Sequence, residues 1–336
     1  MHCQWKDKVL DITAPDFEKL ALELFLFQYK NNAVYRQYTD TLKVDPLAVN
    51  GIGNIPFLPV RFFKSHNVTS TVFEPSIVFE SSGTTGSVNS RHYVKDIAIY
   101  KDSFKRGFEH FYGPVKDWCI LGLLPSYLER ENSSLVFMVN ELIGLSAHQS
   151  SGFYLNDYEK LLSALWELET KHQKTFLIGV TFAILDFADL YKKSNGSPLT
   201  HTIVMETGGM KGRRKEMIRL AVHDALKDSF QVPFIHSEYG MTELLSQAYS
   251  TGNGIFKCPS WMKVLIRDED NPFDIKLPQL QTPATAGAIN LIDLANIYSC
   301  CFIATDDSGR LFPDGSFEVG GRIDNSDLRG CSLMVI

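Results

Sequence analysis

Ser81-Ser82-Gly83-Thr84-Thr85-Gly86 follows directly on the apolar run Ile77-Val78-Phe79. A short apolar run that ends in glycine and hydroxyl residues reads as a strand feeding a loop. Glycines let backbone N–H groups converge on an anion, and Ser and Thr hydroxyls add donors. The loop reads either as a phosphate cradle or as an ordinary strand-to-helix turn. It is not a Walker loop, because no Gly-Lys-Ser or Gly-Lys-Thr closes it. A second segment lies about 150 residues downstream: Tyr239-Gly240-Met241-Thr242-Glu243, after the apolar stretch Val232-Pro233-Phe234-Ile235. It places an aromatic ring, a hydroxyl and a carboxylate at the end of an expected buried strand, where ligands of open α/β sheets bind. Such groups suit an adenine platform, a phosphate donor and a Mg²⁺ ligand. Each segment is a weak signal alone; the pair, in this order, is a strong one.

Working outward, the chain has 336 residues and is 44% hydrophobic, enough for one large domain with subdomains or for two domains. A formal charge of −6 argues against a nucleic-acid surface or an anionic-membrane surface. No apolar run approaches the roughly 20 residues that span a bilayer, and the first residues, Met1-His2-Cys3-Gln4-Trp5, form no apolar signal core. The expected location is cytoplasmic. None of the six cysteines forms a C-x-x-C pair, so free thiols are expected. Cys119, Cys300 and Cys301 sit in apolar runs and read as core; Cys331 follows Arg329-Gly330 close to the last residue.

Apolar spacing predicts one helix from Pro15 to Tyr38, and another face along Ile97, Tyr100, Phe104, Phe108 and Phe111. Strands are predicted at Trp118–Leu124, Thr175–Val180, His201–Met205 and Val232–Ile235. Helices are predicted between them at Ser134–Leu145, after Asn156 as cap, at Phe182–Tyr191 and at Arg213–Phe230. This alternation points to α/β layers with parallel strands. After Tyr249 come short strands with Pro, Gly and Asp turns. The predicted fold class is α/β: layered parallel or mixed sheets with helices, plus a small β-rich C-terminal subdomain. Residues 1–64 form an N-terminal helical and loop segment, 65–249 a nucleotide-binding core and 250–336 the β-rich part.

Two further motifs have two readings each. Gly208-Gly209-Met210-Lys211-Gly212 is either simple helix-start geometry or a close approach of the main chain to a purine, with Lys211 reaching a phosphate. Asp306, after the apolar run Cys300–Ala304, is either a turn aspartate or a partner for a ribose diol. Gly320-Gly321-Arg322-Ile323-Asp324 reads as a turn with a surface ion pair. His236 reads as structural.

Taken together these segments resemble the acyl-adenylate-forming superfamily of acyl-CoA synthetases, luciferases and peptide-synthetase adenylation domains. Ser81, Ser82, Gly83, Thr84, Thr85 and Gly86 match its phosphate loop, and Tyr239, Gly240, Met241, Thr242 and Glu243 its adenine and magnesium motif. Asp306 matches its ribose-binding aspartate, and Gly321-Arg322-Ile323-Asp324 its hinge. Within it the chain looks most like the LuxE-like acyl-protein synthetases. Ile55-Pro56-Phe57-Leu58-Pro59-Val60 with Phe63-Lys64, Thr207–Gly212, and Arg329-Gly330-Cys331-Ser332-Leu333-Met334 carry that likeness.

The resemblance implies ATP and Mg²⁺, with Glu243 on the metal and Thr242 on the α-phosphate. A small-molecule carboxylic acid, by that likeness a fatty acid, is activated to an acyl-adenylate. Cys331 then carries it as a thioester to an acyl reductase or acyl carrier protein. Residues alone favour Cys331 as a small buried apolar position before Leu333 and Val335; the resemblance sets the thioester reading level with it. Two departures accompany the likeness. Only 12 residues follow Asp324, so the small C-terminal domain and its catalytic lysine are absent from this sequence; Lys211 is the substitute it offers. The lysine that often follows the phosphate loop is also missing, and Arg91 stands near that place. Three other functions stay open: a carboxylate–CoA ligase of the phenylacetate type, an acyltransferase drawing on acyl-CoA or acyl carrier protein without ATP, and a non-catalytic nucleotide- or acyl-binding subunit.

Overall fold

A computed structural model of the chain describes residues 3–81, 88–125, 131–155, 157–208, 217–276 and 283–323. The described chain divides into two compact units, and each is discontinuous in sequence. Among the described residues, one gathers those up to Phe104, Met241–Gln247 and residues 257–323; the other gathers Lys105–Gly240 and Ala248–Phe256.

The second unit is built on a sheet whose strand order is Gly152–Phe153, Cys119–Leu123, Thr175–Gly179, Thr202–Glu206, His236–Tyr239 and Ala248–Ser250. All neighbours are parallel except the last pair. Cys119–Leu123 and Thr175–Gly179 are buried at every position, as strands covered on both faces must be. The connecting helices Ser134–Ser146, Tyr158–Thr170, Thr181–Lys193 and Arg219–Phe230 follow the predicted alternation. Tyr158–Thr170 is capped by Asp157, whose side chain accepts from Lys160 N, in place of the expected Asn156, which lies outside the described residues. The last strand also moves: Val232–Ile235 is only its lead-in, and pairing begins at His236.

The first unit holds an antiparallel sheet in the order Ile275–Lys276, Met262–Arg267, Thr285–Asp293, Phe302–Leu311, Phe317–Arg322. Leu58–Pro59 joins Phe302–Leu311 in parallel at Ile303 and Ala304. The predicted helix over Pro15–Tyr38 is two helices, Phe17–Asn31 and Ala33–Thr41. Asn32 divides them: its side chain accepts from Tyr35 N and donates to Ser299 O. Gln28 binds the same distant stretch, donating to Asn296 O and accepting from Cys301 N. Phe25, Tyr35 and Phe57 pack around Phe302, with ring centroids 6.1–6.3 Å apart. This explains why the first helices and the late strands form one core. Cys119, Cys300 and Cys301 are buried and free, and burial pushes Cys119 up to about 11 and Cys300 up to about 12, so neither is a ready thiolate. No described helix is long and apolar enough to cross a membrane.

Candidate active site

Ser81 closes the neck of the glycine loop. Its N–H donates to Ser90 O at 3.0 Å, and its hydroxyl accepts from Ser90 N at 2.9 Å. Below the neck, Ile77–Glu80 and Arg91–Val94 pair antiparallel, so the loop rises from a hairpin stem. Side chains alternate along that stem: Arg91 is exposed and His92 is buried. Ser82, Gly83, Thr84, Thr85 and Gly86 lie outside the described residues.

Thr242 and Glu243 belong to the same unit as this stem. His92 Nδ1 donates to the Thr242 carbonyl at 2.9 Å, and Asn296 Nδ2 donates to the Glu243 carbonyl at 2.8 Å. Just beyond, the buried Asp293 accepts from Leu245 N at 2.8 Å and from Ser246 Oγ at 2.6 Å. Burial raises Asp293 to about 6 despite these donors. Burial lowers His92 to about 4, so its ring is neutral. Thr242 and Met241 are half-buried and Glu243 is buried.

Asp306 and Arg322 are brought together, but not as the sequence suggested. The strand Phe302–Leu311 continues through Asp306: its neighbours pair on either side, at Ala304 and Ser308 on one edge and from Asp307 on the other, with a register shift on the first edge; the acidic pair is no turn. Asp306 Oδ2 lies 3.2 Å from Arg61 Nε and 3.9 Å from Arg322 Nη1. Arg322 Nε also lies 3.7 Å from Asp307.

In the other unit Tyr239 ends its strand beside Phe256, with ring centroids 5.9 Å apart, and Gly240 is exposed. The turn after Thr202–Glu206 is held by a residue the sequence reading passed over. Glu206 is buried, accepts from Gly208 N at 2.7 Å and Thr181 Oγ1 at 3.0 Å, and faces Arg219 at 3.8 Å and His223 at 3.5 Å. Burial alone would raise this carboxyl; the His223 and Arg219 partners outweigh it and hold the group at about 2. Gly208 has φ +75°, a conformation glycine takes without strain. Thr207 is stitched to Gly179 O by its N–H at 3.0 Å. Ser237, His223 and Glu206 form no nucleophile relay: serine and carboxylate both meet His223 Nε2, and Ser237 is fully buried. Glu238, directly before Tyr239, is raised to about 8 by burial and then by Glu206. The sequence signal for Glu206 was there to use: one acidic residue closing the apolar run Ile203-Val204-Met205. Gly209, Lys211 and Cys331 lie outside the described residues.

Comparison with known proteins agrees with this architecture. The family model described as "Acyl-protein synthetase, LuxE" matches residues 9–336. No curated protein matches the chain in sequence. Among solved structures, ATP-bound MatB from Rhodopseudomonas palustris superposes with a TM-score of 0.53 at 14% identity, over 75% of this chain and 50% of that one. An open conformation of 2-hydroxyisobutyryl-CoA ligase, in complex with 2-HIB-AMP and CoA, gives 0.67 at 10% identity, over 93% of this chain and 70% of that one. The chain thus spans half of the first structure's length. The fold is that of the acyl-adenylate-forming ligases, as the two glycine-bearing segments implied.

Proposed function

The chain belongs to the LuxE acyl-protein synthetase family, and on that premise we propose that it activates a carboxylic acid with ATP and passes the acyl group to a cysteine thiol. The family match over residues 9–336 carries the reading. The hydrogen bond from the loop stem to Thr242 supports it.

In the first step a carboxylate oxygen attacks the α-phosphorus of ATP. A phosphorus–oxygen bond forms, the bond to the β-phosphate bridge breaks, and pyrophosphate leaves an acyl-adenylate behind. Ser81 to Gly86 and Thr242 offer N–H and hydroxyl donors to the phosphates. Lys211 or Arg91 supplies positive charge against the charge that develops. Tyr239, Gly240, Met241, Gly208 and Gly209 take the adenine side, and Asp306 and Arg322 the ribose. Glu243 presents a hard oxygen donor that fits Mg²⁺. Among the described residues no three His, Cys, Asp or Glu side chains gather into a metal cluster. That donor set suits a cation which keeps several waters and binds phosphate oxygens. When bound, Mg²⁺ offsets phosphate charge.

In the second step the Cys331 thiolate attacks the acyl carbonyl, a carbon–sulfur bond forms and AMP leaves. A fatty acid is the expected substrate, and a reductase or carrier protein the expected acceptor of the thioester.

The test uses purified protein, labelled fatty acid and Mg·ATP. Label is expected to survive denaturation of the wild-type protein and to vanish in Cys331→Ser. Full labelling of Cys331→Ser would remove that residue from the mechanism. Glu243→Gln is expected to lower metal-dependent pyrophosphate release by about 10²-fold or more; unchanged release would end the metal assignment. Soluble acyl-CoA without labelled protein would instead mark a CoA ligase. No pyrophosphate release across a panel of carboxylic acids would overturn adenylation itself.

A further inference from the structure

His92 was not among the residues that any motif singles out, yet it makes a contact that determines how Glu243 is presented. The Thr242 carbonyl belongs to the peptide plane before Glu243. The Glu243 carbonyl belongs to the plane after it. Both are held by side chains from outside the segment, one by His92 Nδ1 at 2.9 Å and the other by Asn296 Nδ2 at 2.8 Å. A residue has only two soft backbone dihedrals, φ and ψ, and they set how its two flanking planes are turned. Holding both planes therefore holds the backbone from which the Glu243 side chain projects.

We propose that His92 is a positioning residue: its Nδ1–H fixes the Thr242 carbonyl and, with Asn296, sets the direction of the Thr242 hydroxyl and the Glu243 carboxylate. Its consequence for catalysis rests on the adenylation reading above. The strand Arg91–Val94 that carries His92 is half of the glycine loop's stem, so the same ring ties that stem to Glu243. The tautomer follows from geometry. A carbonyl oxygen only accepts, so the ring proton sits on Nδ1 and Nε2 keeps a bare lone pair. Nε2 is buried and has no hydrogen-bond partner among the described residues. The ring is otherwise packed edge-on against Phe63, with centroids 5.8 Å apart. A buried ring that leaves one nitrogen unsatisfied calls for a compensating role, and the Thr242 bond supplies it.

The test compares wild type, His92→Phe and His92→Asn, because the asparagine amide can replace an Nδ1 donor and phenylalanine cannot. In His92→Phe, amide exchange over residues 242–244 is expected to quicken about tenfold. The kcat for pyrophosphate release is expected to fall about tenfold or more, with KM for the carboxylic acid within about twofold. His92→Asn is expected to restore both. Unchanged exchange in His92→Phe overturns the clamp, whatever the activity. A wild type that releases no pyrophosphate overturns the adenylation reading alone, since exchange still decides the clamp. Should His92→Phe fail to fold, histidine-labelled wild type gives the answer by nitrogen NMR. A His92 proton on Nδ1 supports the clamp, and one on Nε2 overturns it.

Discussion

The Gly208 turn of one unit is held by a buried carboxylate, whereas the Thr242–Glu243 turn of the other is held by two neutral donors. Glu206 gathers Gly208 N, Thr181 Oγ1, Arg219 and His223 around one charge. Burying that charge is costly, and only a full set of partners offsets the loss of water. His92 and Asn296 carry no charge, and each makes a single bond to a carbonyl. The first device is strong while complete and fails sharply when the carboxylate itself goes. The second is weaker but does not add charge beside a residue assigned to magnesium and phosphate.

The comparison breaks first at Glu206. Glu206→Ala should cost about 3–5 kcal/mol in urea unfolding, since Arg219 and His223 lose their carboxylate; a loss under about 1 kcal/mol would mean that the charge anchors nothing. Acid titration should then separate the two devices by window. Glu206 is held at about 2 against an ordinary 4.5, so its contribution is complete above 4.5 and is lost as pH falls from 4.5 towards 2, about 3 kcal/mol in all. His92 is lowered to about 4 against 6.5, so the unfolded chain takes up that proton first. Stability on its account is full above 6.5 and drops as pH falls from 6.5 towards 4, again by about 3 kcal/mol. His92→Asn should reduce the fall through the upper window by about 3 kcal/mol and leave the lower one; what remains of the upper window belongs to His236, which burial also lowers to about 4. A lower window flattened by His92→Asn would contradict the separation.

A smaller effect is expected at Asp293. Both its oxygens accept, so Asp293→Asn turns one donor against Leu245 N–H or Ser246, at about 1–3 kcal/mol. Because the carboxyl already sits near 6, the loss should be greater below pH 6 than above it, where the wild-type charge itself is penalised. Thr181→Val is the mildest. It removes one donor from Glu206 and should cost about 1–2 kcal/mol, with the lower acid window shifted upward in pH. No shift in that window would remove Thr181 from the anchor.

Much of this was legible along the chain. The parallel strands of the second unit fall close to where apolar runs and glycines put them, because strands buried on both faces leave uninterrupted apolar sequence. The elements that were misread share a cause. Asn32 sits between two helices because its amide is needed by Ser299, some 267 positions away. Asp306 lies inside a strand because neighbouring strands pair on either side of it, at Ala304 and at Asp307, although Thr305-Asp306-Asp307 has the composition of a turn. Pairing at His236–Tyr239 is decided by Thr202–Glu206 and Ala248–Ser250, not by the apolar residues that precede it. The place of Glu206 at the end of an apolar run marks it as unusual, but that Arg219 and His223 meet it is decided only by packing.

The sequence by itself determined the α/β class, the family, and the residue types that a nucleotide and a magnesium ion require, since glycine, hydroxyl, aromatic and carboxylate groups keep their chemistry wherever the chain goes. Only the tertiary structure decided that each compact unit is assembled from separate stretches of chain, and that His92, Asn296 and Glu206 hold the turns bearing those groups. The reason is physical. Periodicity reports what a residue's near neighbours bury, whereas a hydrogen bond across 150 positions forms only after long-range packing has brought its two ends together.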